Sequence, residues 1–421
     1  MSKKQNSTTY IRCSKISTKF ANNSKQDVLS LFLSAYSKLV SDFVDILWEM
    51  EDSSLPKNLG LNITSIPETW LSARIRQCAA KQAKGIVVGT RKKISQQQFI
   101  IKKLISEGEL NRAKILQKKV DDSTVSKPNI KNLPAELDDR FIKVDLKSNN
   151  SFDGWVTISS IGNKISIKIP FKKTKHFNKM FENGVMKKGI RLSLTSMDFN
   201  FEFETPLKES GDVVGVDIGK ENIFTLSNGT QIVKDNHNHT FSSIITKLAR
   251  KKRGSNAFRK AAAHRDNFAN WALNQINWHS IKGLRKENIK NIYRGKKMPS
   301  SLLRWNYRSV LDKVEQRCQK EGVLFIDVNP AYTSQRCSKC GWVQKANRAS
   351  QSKFYCKKCA YSANADFNAA VNISLPLSTV SHNVKLNRLN LKGFYWDGGC
   401  LDQERIVSDN SESNTIEIHK L

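Results

Sequence analysis

Residues 337–374 read CSKCGWVQKANRASQSKFYCKKCAYSANADFNAAVNIS. Two Cys-x-x-Cys pairs, Cys337/Cys340 and Cys356/Cys359, are separated by fifteen residues. That is zinc-ribbon spacing, and four thiolates complete a closed tetrahedral shell, so the ion would be structural rather than catalytic. Seven residues after the last cysteine comes Asp366, a carboxylate at the start of an apparent helix in ADFNAAVNI. A metal-stapled ribbon that feeds directly into an acidic helix start is an unusual coupling, and it narrows the chemistry the chain can perform.

Charge narrows it further. The 421 residues carry 70 Lys and Arg against 38 Asp and Glu, a formal net charge of +32. Such an excess is self-repelling without a polyanionic partner, and nucleic acid is the usual one. With 39% hydrophobic residues, the length suits two or three packed domains. The four cysteines outside the ribbon, Cys13, Cys78, Cys318 and Cys400, have no motif spacing, which suits a reducing compartment with one metal site rather than a disulfide framework. The N-terminal MSKKQNSTTY lacks the apolar stretch of a signal peptide, and no run approaches a membrane span. A cytoplasmic protein with no membrane partner is expected.

Patterning along the chain predicts an α+β multidomain protein. Residues 8–20 read as a strand, and apolar residues from Val28 to Leu47 recur at helical spacing over 25–50. A second helical stretch, with Pro67 in its first turn, continues with interruptions to about residue 120. Its basic side chains, among them Arg74, Arg76, Lys81, Lys84, Arg91, Lys92 and Lys93, suggest a phosphate-facing surface; a solvated helix face is the plainer alternative. After a linker at 120–134 the period switches to two, in Ile165/Ile167/Ile169, Ile190/Leu192/Leu194 and Phe199/Phe201/Phe203. These are half-buried antiparallel strands, consistent with a small β-barrel interrupted by a helical insertion. DVVGVDIG then opens a second domain on an apolar strand carrying Asp217 near its end. IKGLRKENI is a weakly alternating strand ending near Glu287, and VLFIDVNP is another apolar strand. From Tyr395 onward six acids face two bases, which reads as an acidic, disordered tail.

Asp217, Glu287 and Asp366 each sit at a strand end or helix start. Taken singly, such an acid is most often a turn or cap residue. Their order, with a ribbon just before the third, suggests the carboxylate cluster that holds two Mg²⁺ ions for phosphodiester hydrolysis. The series GVDIG, ENIKNIYRGKK, TSQRCSKCG and CKKCAYSANADFNAAVNI resembles the split RuvC nuclease of the TnpB family of transposon-encoded RNA-guided DNA endonucleases, whose core the compact type V CRISPR effectors share. The likeness covers roughly residues 211–375; the N-terminal half is similar only in architecture.

The resemblance implies a wedge-like β-barrel from 1–22 and 128–208, with a helical recognition lobe at 23–127. It further implies an RNase H-like RuvC α/β domain from 211–330 and 361–394, with the zinc ribbon inserted at 331–360 and the tail at 395–421. Asp217, Glu287 and Asp366 would be the catalytic, Mg²⁺-binding carboxylates, and Cys337, Cys340, Cys356 and Cys359 the ligands of one structural Zn²⁺. The family has apolar residues before its second carboxylate, whereas Arg285 and Lys286 precede Glu287 here. Basic loops supply the expected nucleic-acid contacts: Lys251, Lys252 and Arg253, then Arg294, Lys296 and Lys297 beside Tyr293, and Arg336 with Thr333 and Ser334 next to the ribbon. His237 and His239, in DNHNHT, have no Cys or carboxylate at ligand spacing and read as a polar loop; Trp271, Trp278 and Trp305 read as core.

The expected function is guide-RNA binding, recognition of a short flanking motif and Mg²⁺-dependent cleavage of target DNA, as duplex or displaced single strand. Two other readings stand beside it. One is an RNA-guided DNA-binding repressor that does not cut; the other is a protein-only zinc-ribbon factor with structural carboxylates.

Overall fold

A computed structural model describes residues 7–51, 55, 58–122, 127–146, 151–289, 300–377, 393–397 and 400–401. They divide into two compact units, Thr9–Glu204 and Met1–Thr8 with Thr205–Leu421. Among the described residues no helix is long and apolar enough to cross a membrane.

In the Thr9–Glu204 unit, β1 (Ser7–Ser17) leads into α1 (Asn23–Glu49), capped by the Asn22 side chain, which accepts from the Lys25 amide. Phe32, Tyr36, Val40, Phe43 and Leu47 bury one face of α1, the periodicity visible in the sequence. A single turn, α2 (Leu61–Thr64), precedes the long α3 (Ala73–Ser106), and α4 (Leu110–Asp122) folds back against it. The expected helix start at Pro67 is too early. Leu71 is held in an antiparallel bridge to Gly162, and the Ser72 side chain caps the Ile75 amide, so the helix begins at Ala73.

The remaining elements are β2 (Ala135–Leu137), β3 (Ile142–Asp145), β4 (Gly154–Ile158), β5 (Ile167–Phe171), α5 (Lys175–Asn183), β6 (Val185–Leu192) and β7 (Ser196–Pro206). The strands pair as two antiparallel sheets, β1-β7-β6-β2 and β3-β4-β5, over one core shared with α1 and α3. No ladder among the described residues closes them into the single barrel expected.

The second unit is built on a five-stranded sheet of order β10-β9-β8-β11-β12. Its strands are β8 (Asp212–Asp217), β9 (Phe224–Leu226), β10 (Gln231–Ile232), β11 (Ile281–Glu287) and β12 (Leu324–Val328). The first three form antiparallel neighbours, while β8, β11 and β12 run parallel. Parallel strands need crossovers, and these are supplied by α6 (Phe241–Ala249) with α7 (Asn256–Asn274), then by α8 (Ser300–Trp305) with α9 (Tyr307–Glu321). Trp278 is buried in the core of this unit, with Trp271 and Trp305 packed against it.

Past β12 the chain forms the cysteine segment, with β13 (Trp342–Val343) and the hairpin β14 (Lys353–Tyr355)–β15 (Ser362–Asn364), then α10 (Ala365–Ser374). α10 lies against β8 at Gly215, where an added Cβ would stand 2.2 Å from the Ala370 carbonyl oxygen and 2.4 Å from the Ser374 amide. Glycine is required here by close approach. Two short strands, β16 (Phe394–Asp397) and β17 (Cys400–Leu401), complete the described chain. They correct the expected tail boundary: β16 pairs with β13, and Trp396 is fully buried with Val343 and Phe394. Aromatic burial outweighs the acidic composition at that point, and residues 402–421 lie outside the described ones.

Candidate functional site

The sheet brings two of the expected carboxylates to one edge. β8 and β11 are parallel neighbours with Lys286 opposite Val216, so Asp217 and Glu287 end adjacent strands at their carboxyl ends. In open α/β sheets that edge is where ligands bind. Asp366 arrives from the opposite direction of the chain, in the first turn of α10. Asn364 is both the last residue of β15 and the cap of α10; its side chain accepts from the Asp366 amide at 2.9 Å and the Phe367 amide at 3.1 Å.

The segment ADFNAAVNI can now be read residue by residue. Asp366 faces the site, where the Asn222 side chain donates to it at 3.3 Å. Asn368 donates to the Arg336 carbonyl and accepts from the Ser338 amide, while Asn372 donates to the carbonyls of Thr333 and Arg336. Both asparagines are buried and satisfied, one helical turn apart, and they bolt the entry of the cysteine segment onto α10. Ala370 lies where the helix backbone reaches Gly215 of β8, and Ala369 lines the cleft.

Asp217, Glu287 and Arg348 line a cleft of about 420 Å³ with Thr333 and Ser334. Burial, then the charges of Glu287 and Asp366, push the Asp217 carboxyl up to about 8, with Arg348 opposing them. Burial also raises Glu287, offset by the Thr333 hydroxyl that donates to it and by Arg348. Asp366 is raised by burial as well, and Arg348, 3.5 Å away, counters the shift. Asp217 keeps some contact with solvent at its strand end, though nearly everything around it is protein. Asp217 and Glu287 thus line the cleft, Asp366 lies close enough for its charge to raise Asp217, and Arg348 acts on all three. Hard oxygen donors short of positive charge are what a hard divalent cation such as Mg²⁺ requires.

The two basic residues before Glu287 have their own explanation. Lys286 is buried and ion-paired at 2.6 Å with Asp327, its register partner on β12, and Arg285 donates to the Ser374 carbonyl at the end of α10. Lys286 is thus matched by an acid, while Arg285 is held through one guanidinium nitrogen and its buried Nε has no partner.

The four cysteines converge. Cys337 and Cys359 sulfurs are 3.7 Å apart, Cys340 and Cys356 sulfurs 3.6 Å. A tetrahedral shell with Zn–S bonds of about 2.3 Å has edges of about 3.8 Å, so the set fits one ion. Amides of Lys358 and Cys359 also point at the Cys356 sulfur, the usual support for a thiolate.

Other expected residues fare differently. Arg336 is buried, donating to the carbonyls of Trp396 and Cys337 and to Asn372. It is an internal brace, unable to contact a phosphate from there, and the expectation is corrected. Thr333 is likewise buried and donates to Glu287, and it lines the cleft together with Ser334. Lys252 and Arg253 are exposed and Lys251 half-buried at the turn between α6 and α7, away from the cleft lining. Tyr293, Arg294, Lys296 and Lys297 lie outside the described residues.

The sequence reading missed Arg348 and Asn222, neither of which has a spacing signal. It also missed the surroundings of His239: Asp235 and His264 bring ligand atoms within 4.8 Å of it and of each other. His264 is 25 residues downstream on α7, beyond the reach of any local pattern.

Comparison with known proteins adds a separate line. Residues 307–373 match the family described as Cas12f1-like, TNB domain. The chain is 44% identical over 75 residues to the CRISPR-associated endodeoxyribonuclease Cas12f1 of Sulfoacidibacillus thermotolerans, covering 18% of each protein. It is 32% identical over 209 residues to "Putative RNA-guided DNA endonuclease InsQ" of Escherichia coli (strain K12), covering 42% of this chain and 52% of that one. The matched regions thus span about a fifth to a half of these curated relatives. Among solved structures, a Cas12f1–sgRNA–target DNA complex aligns over 88% of this chain and 99% of that one, with TM-score 0.43 and 14% identity. The resemblance seen in the motifs is found again in these sequences.

Proposed function

We propose that the chain is an RNA-guided DNA endonuclease that binds a guide RNA, recognises a short motif beside its target and hydrolyses target DNA at the cleft of Asp217, Glu287 and Asp366. The observation that carries this reading is that Asp217 and Glu287, from distant segments, line one cleft with the charge of Asp366 bearing on Asp217, in a chain of net charge +32. The strand order, three parallel strands with an antiparallel pair on the β8 side, supports an RNase H-like RuvC core. Likeness to relatives named as RNA-guided or CRISPR-associated endonucleases supports the substrate class. The non-cleaving alternative drew on the basic residues before Glu287, and their pairing with Asp327 and the Ser374 carbonyl removes that motive.

In this reading Asp217, Glu287 and Asp366 would hold Mg²⁺, two ions in the full site, which when bound activates water and stabilises the leaving oxygen. The chain's own groups set the stage for that chemistry. Thr333 fixes the Glu287 carboxylate and Asn222 that of Asp366, so both present oxygens without searching rotamers. Arg348, already beside Asp366, is placed to meet the scissile phosphate and to balance charge as the strand enters. One Zn²⁺ on the four cysteines would fix the segment that carries Arg348, between the two pairs. Residues 1–22 and 128–208 would serve as the wedge-like part, 23–127 as the recognition lobe, 211–330 with 361–394 as the nuclease, and 331–360 as the ribbon over the target strand. Lys251, Lys252, Arg253, Arg294, Lys296 and Lys297 remain proposed backbone contacts.

Expression with native flanking DNA, followed by sequencing of co-purified RNA and a Mg²⁺-dependent cleavage assay, tests the proposal. A single discrete RNA and guided cutting are expected. Asp217→Ala should reduce cleavage by more than about 10³-fold with RNA binding intact, as when a group acting in the transition state is removed. Undiminished cutting by that variant would sink the site; random RNA fragments and no guided cutting would favour the protein-only reading.

A further inference from the structure

The loop before α6 is a tight hairpin organised around one side chain. Lys234 and Thr240 form an antiparallel bridge, and Asn238 adopts a left-handed conformation at φ 60°. Between them Asp235 accepts from the amides of His237 and His239, both at 2.9 Å, through one carboxylate oxygen. Its other oxygen lies 3.2 Å from Nδ1 of His239. The loop alone would be an ordinary turn with an incidental ion pair.

His264 changes that. It sits on α7, and its ring meets the His239 ring edge to face, centroids 5.0 Å apart at 84°. Ligand atoms of Asp235, His239 and His264 all fall within 4.8 Å of one another. Among the described residues His264 makes no hydrogen bond, so a ring nitrogen is left for another partner. Two ligands on an ion with bonds of about 2.0–2.1 Å stand about 3.3 Å apart in a tetrahedron, close to the observed Asp235–His239 separation. Lys247 on α6 and His237 also bear on His264 and oppose a cation, with Asp235 the acid that favours one.

We propose that Asp235, His239 and His264 form a divalent transition-metal site of the zinc or nickel class, which clips the loop 234–240 onto α7. Two imidazoles and one carboxylate suit such ions, whereas Mg²⁺ prefers an all-oxygen shell. Three protein ligands leave a fourth position for water or for the neighbouring His237, whose ring is 6.0 Å from that of His239. The site shares no residue with the carboxylate cleft or the four cysteines, and it stands whether or not the chain is a nuclease. Its effect is mechanical: an ion bound only in the folded state joins two elements that the sequence keeps 25 residues apart.

Zinc titration of the full chain against a competing chromophoric chelator tests it, with thermal unfolding alongside. Wild type should bind two equivalents, one for the cysteines and one here, and added zinc should raise its melting temperature. His264→Gln and His239→Gln should each bind one fewer and lose that rise, with affinity at this site falling beyond the about 10–100-fold seen on altering outer-shell partners. Asp235→Asn, which keeps an acceptor for the two turn amides, separates ligand loss from misfolding and should also bind one fewer. A zinc count that is the same in wild type and in all three variants overturns the proposal.

Discussion

The two units of this chain are held together by different means. Thr9–Glu204 rests on one continuous apolar cluster running from Ile16 to Phe203, in which Phe171, Phe177, Phe199 and Phe201 pack ring against ring. The Thr205–Leu421 unit has an apolar core beneath its sheet, but its far side is assembled from four cysteines, two buried asparagines, an internal arginine and a glycine that admits a helix. Apolar packing tolerates substitution by residues of similar volume, so it leaves a period in the sequence and no signature. Directional chemistry tolerates almost none, so it leaves motifs.

Cutting the sulfur cluster should give the largest effect. Cys356→Ser is expected to lose one equivalent of zinc and to open residues 337–364 to protease, leaving Thr9–Glu204 folded. Zinc binding contributes about 10–16 kcal/mol in small isolated fingers, an upper scale for what the ribbon would lose. Elemental analysis and limited proteolysis measure it, and an unchanged metal content would refute the ribbon. The matching change in the other unit is Phe199→Ala. Phe199 is fully buried, with ring centroids 5.7 Å from Phe171 and 5.4 Å from Phe177, so about 3–5 kcal/mol should be lost in a urea titration. Its zinc content should not change. If both variants unfold the whole chain together, the contrast between the units fails.

That contrast also explains what could be read from the sequence. The cysteine spacing is local and the order of the three carboxylates can be read along the chain; the four sulfurs come together, and the charges of Glu287 and Asp366 bear on Asp217. The alternation in Ile167/Ile169 and Phe199/Phe201 correctly gives strands, yet nothing in a period of two says whether strands close a barrel or split into the two sheets found. Arg336 departs from the expectation because a basic residue beside a cysteine pair looks the same in sequence whether it faces solvent or, as here, the Asn372 side chain. Trp396 hides in an acidic stretch, where composition points away from the strand that its ring anchors. Arg348 and His264 are placed by the fold alone.

A smaller effect sharpens the account of the carboxylate cleft. In the folded chain Asp217 is pushed from an ordinary 3.8 up to about 8, first by burial and then by Glu287 and Asp366. The folded state therefore binds more protons than the unfolded one between about pH 4 and 8, and stability falls as pH rises through that window. Without added Mg²⁺, and with zinc kept present, the wild type should melt at a higher temperature at pH 5 than at pH 8. Asp217→Asn should flatten the dependence by an amount of order a few kcal/mol. Excess Mg²⁺ should restore the wild type at pH 8 and leave the variant largely unmoved, since the cation replaces the proton that relieves the cluster.

The smallest expected change tests the joint between the cysteine segment and the packed structure. Asn364 ends the ribbon hairpin opposite Lys353 and caps α10, taking the amides of Asp366 and Phe367. Asn364→Ala should cost about 1 kcal/mol of stability, the usual value of a cap. If the hairpin does no more than start a helix, cleavage should fall only in proportion to unfolding. If it aims Asp366 into the cleft, the cleavage rate should fall further than stability accounts for, with guide binding unchanged. Asn364→Asp, which keeps an acceptor at the same place and a favourable charge at a helix start, should then recover both. Loss of rate in the alanine variant with no recovery in the aspartate one would refute positioning through the cap's oxygen.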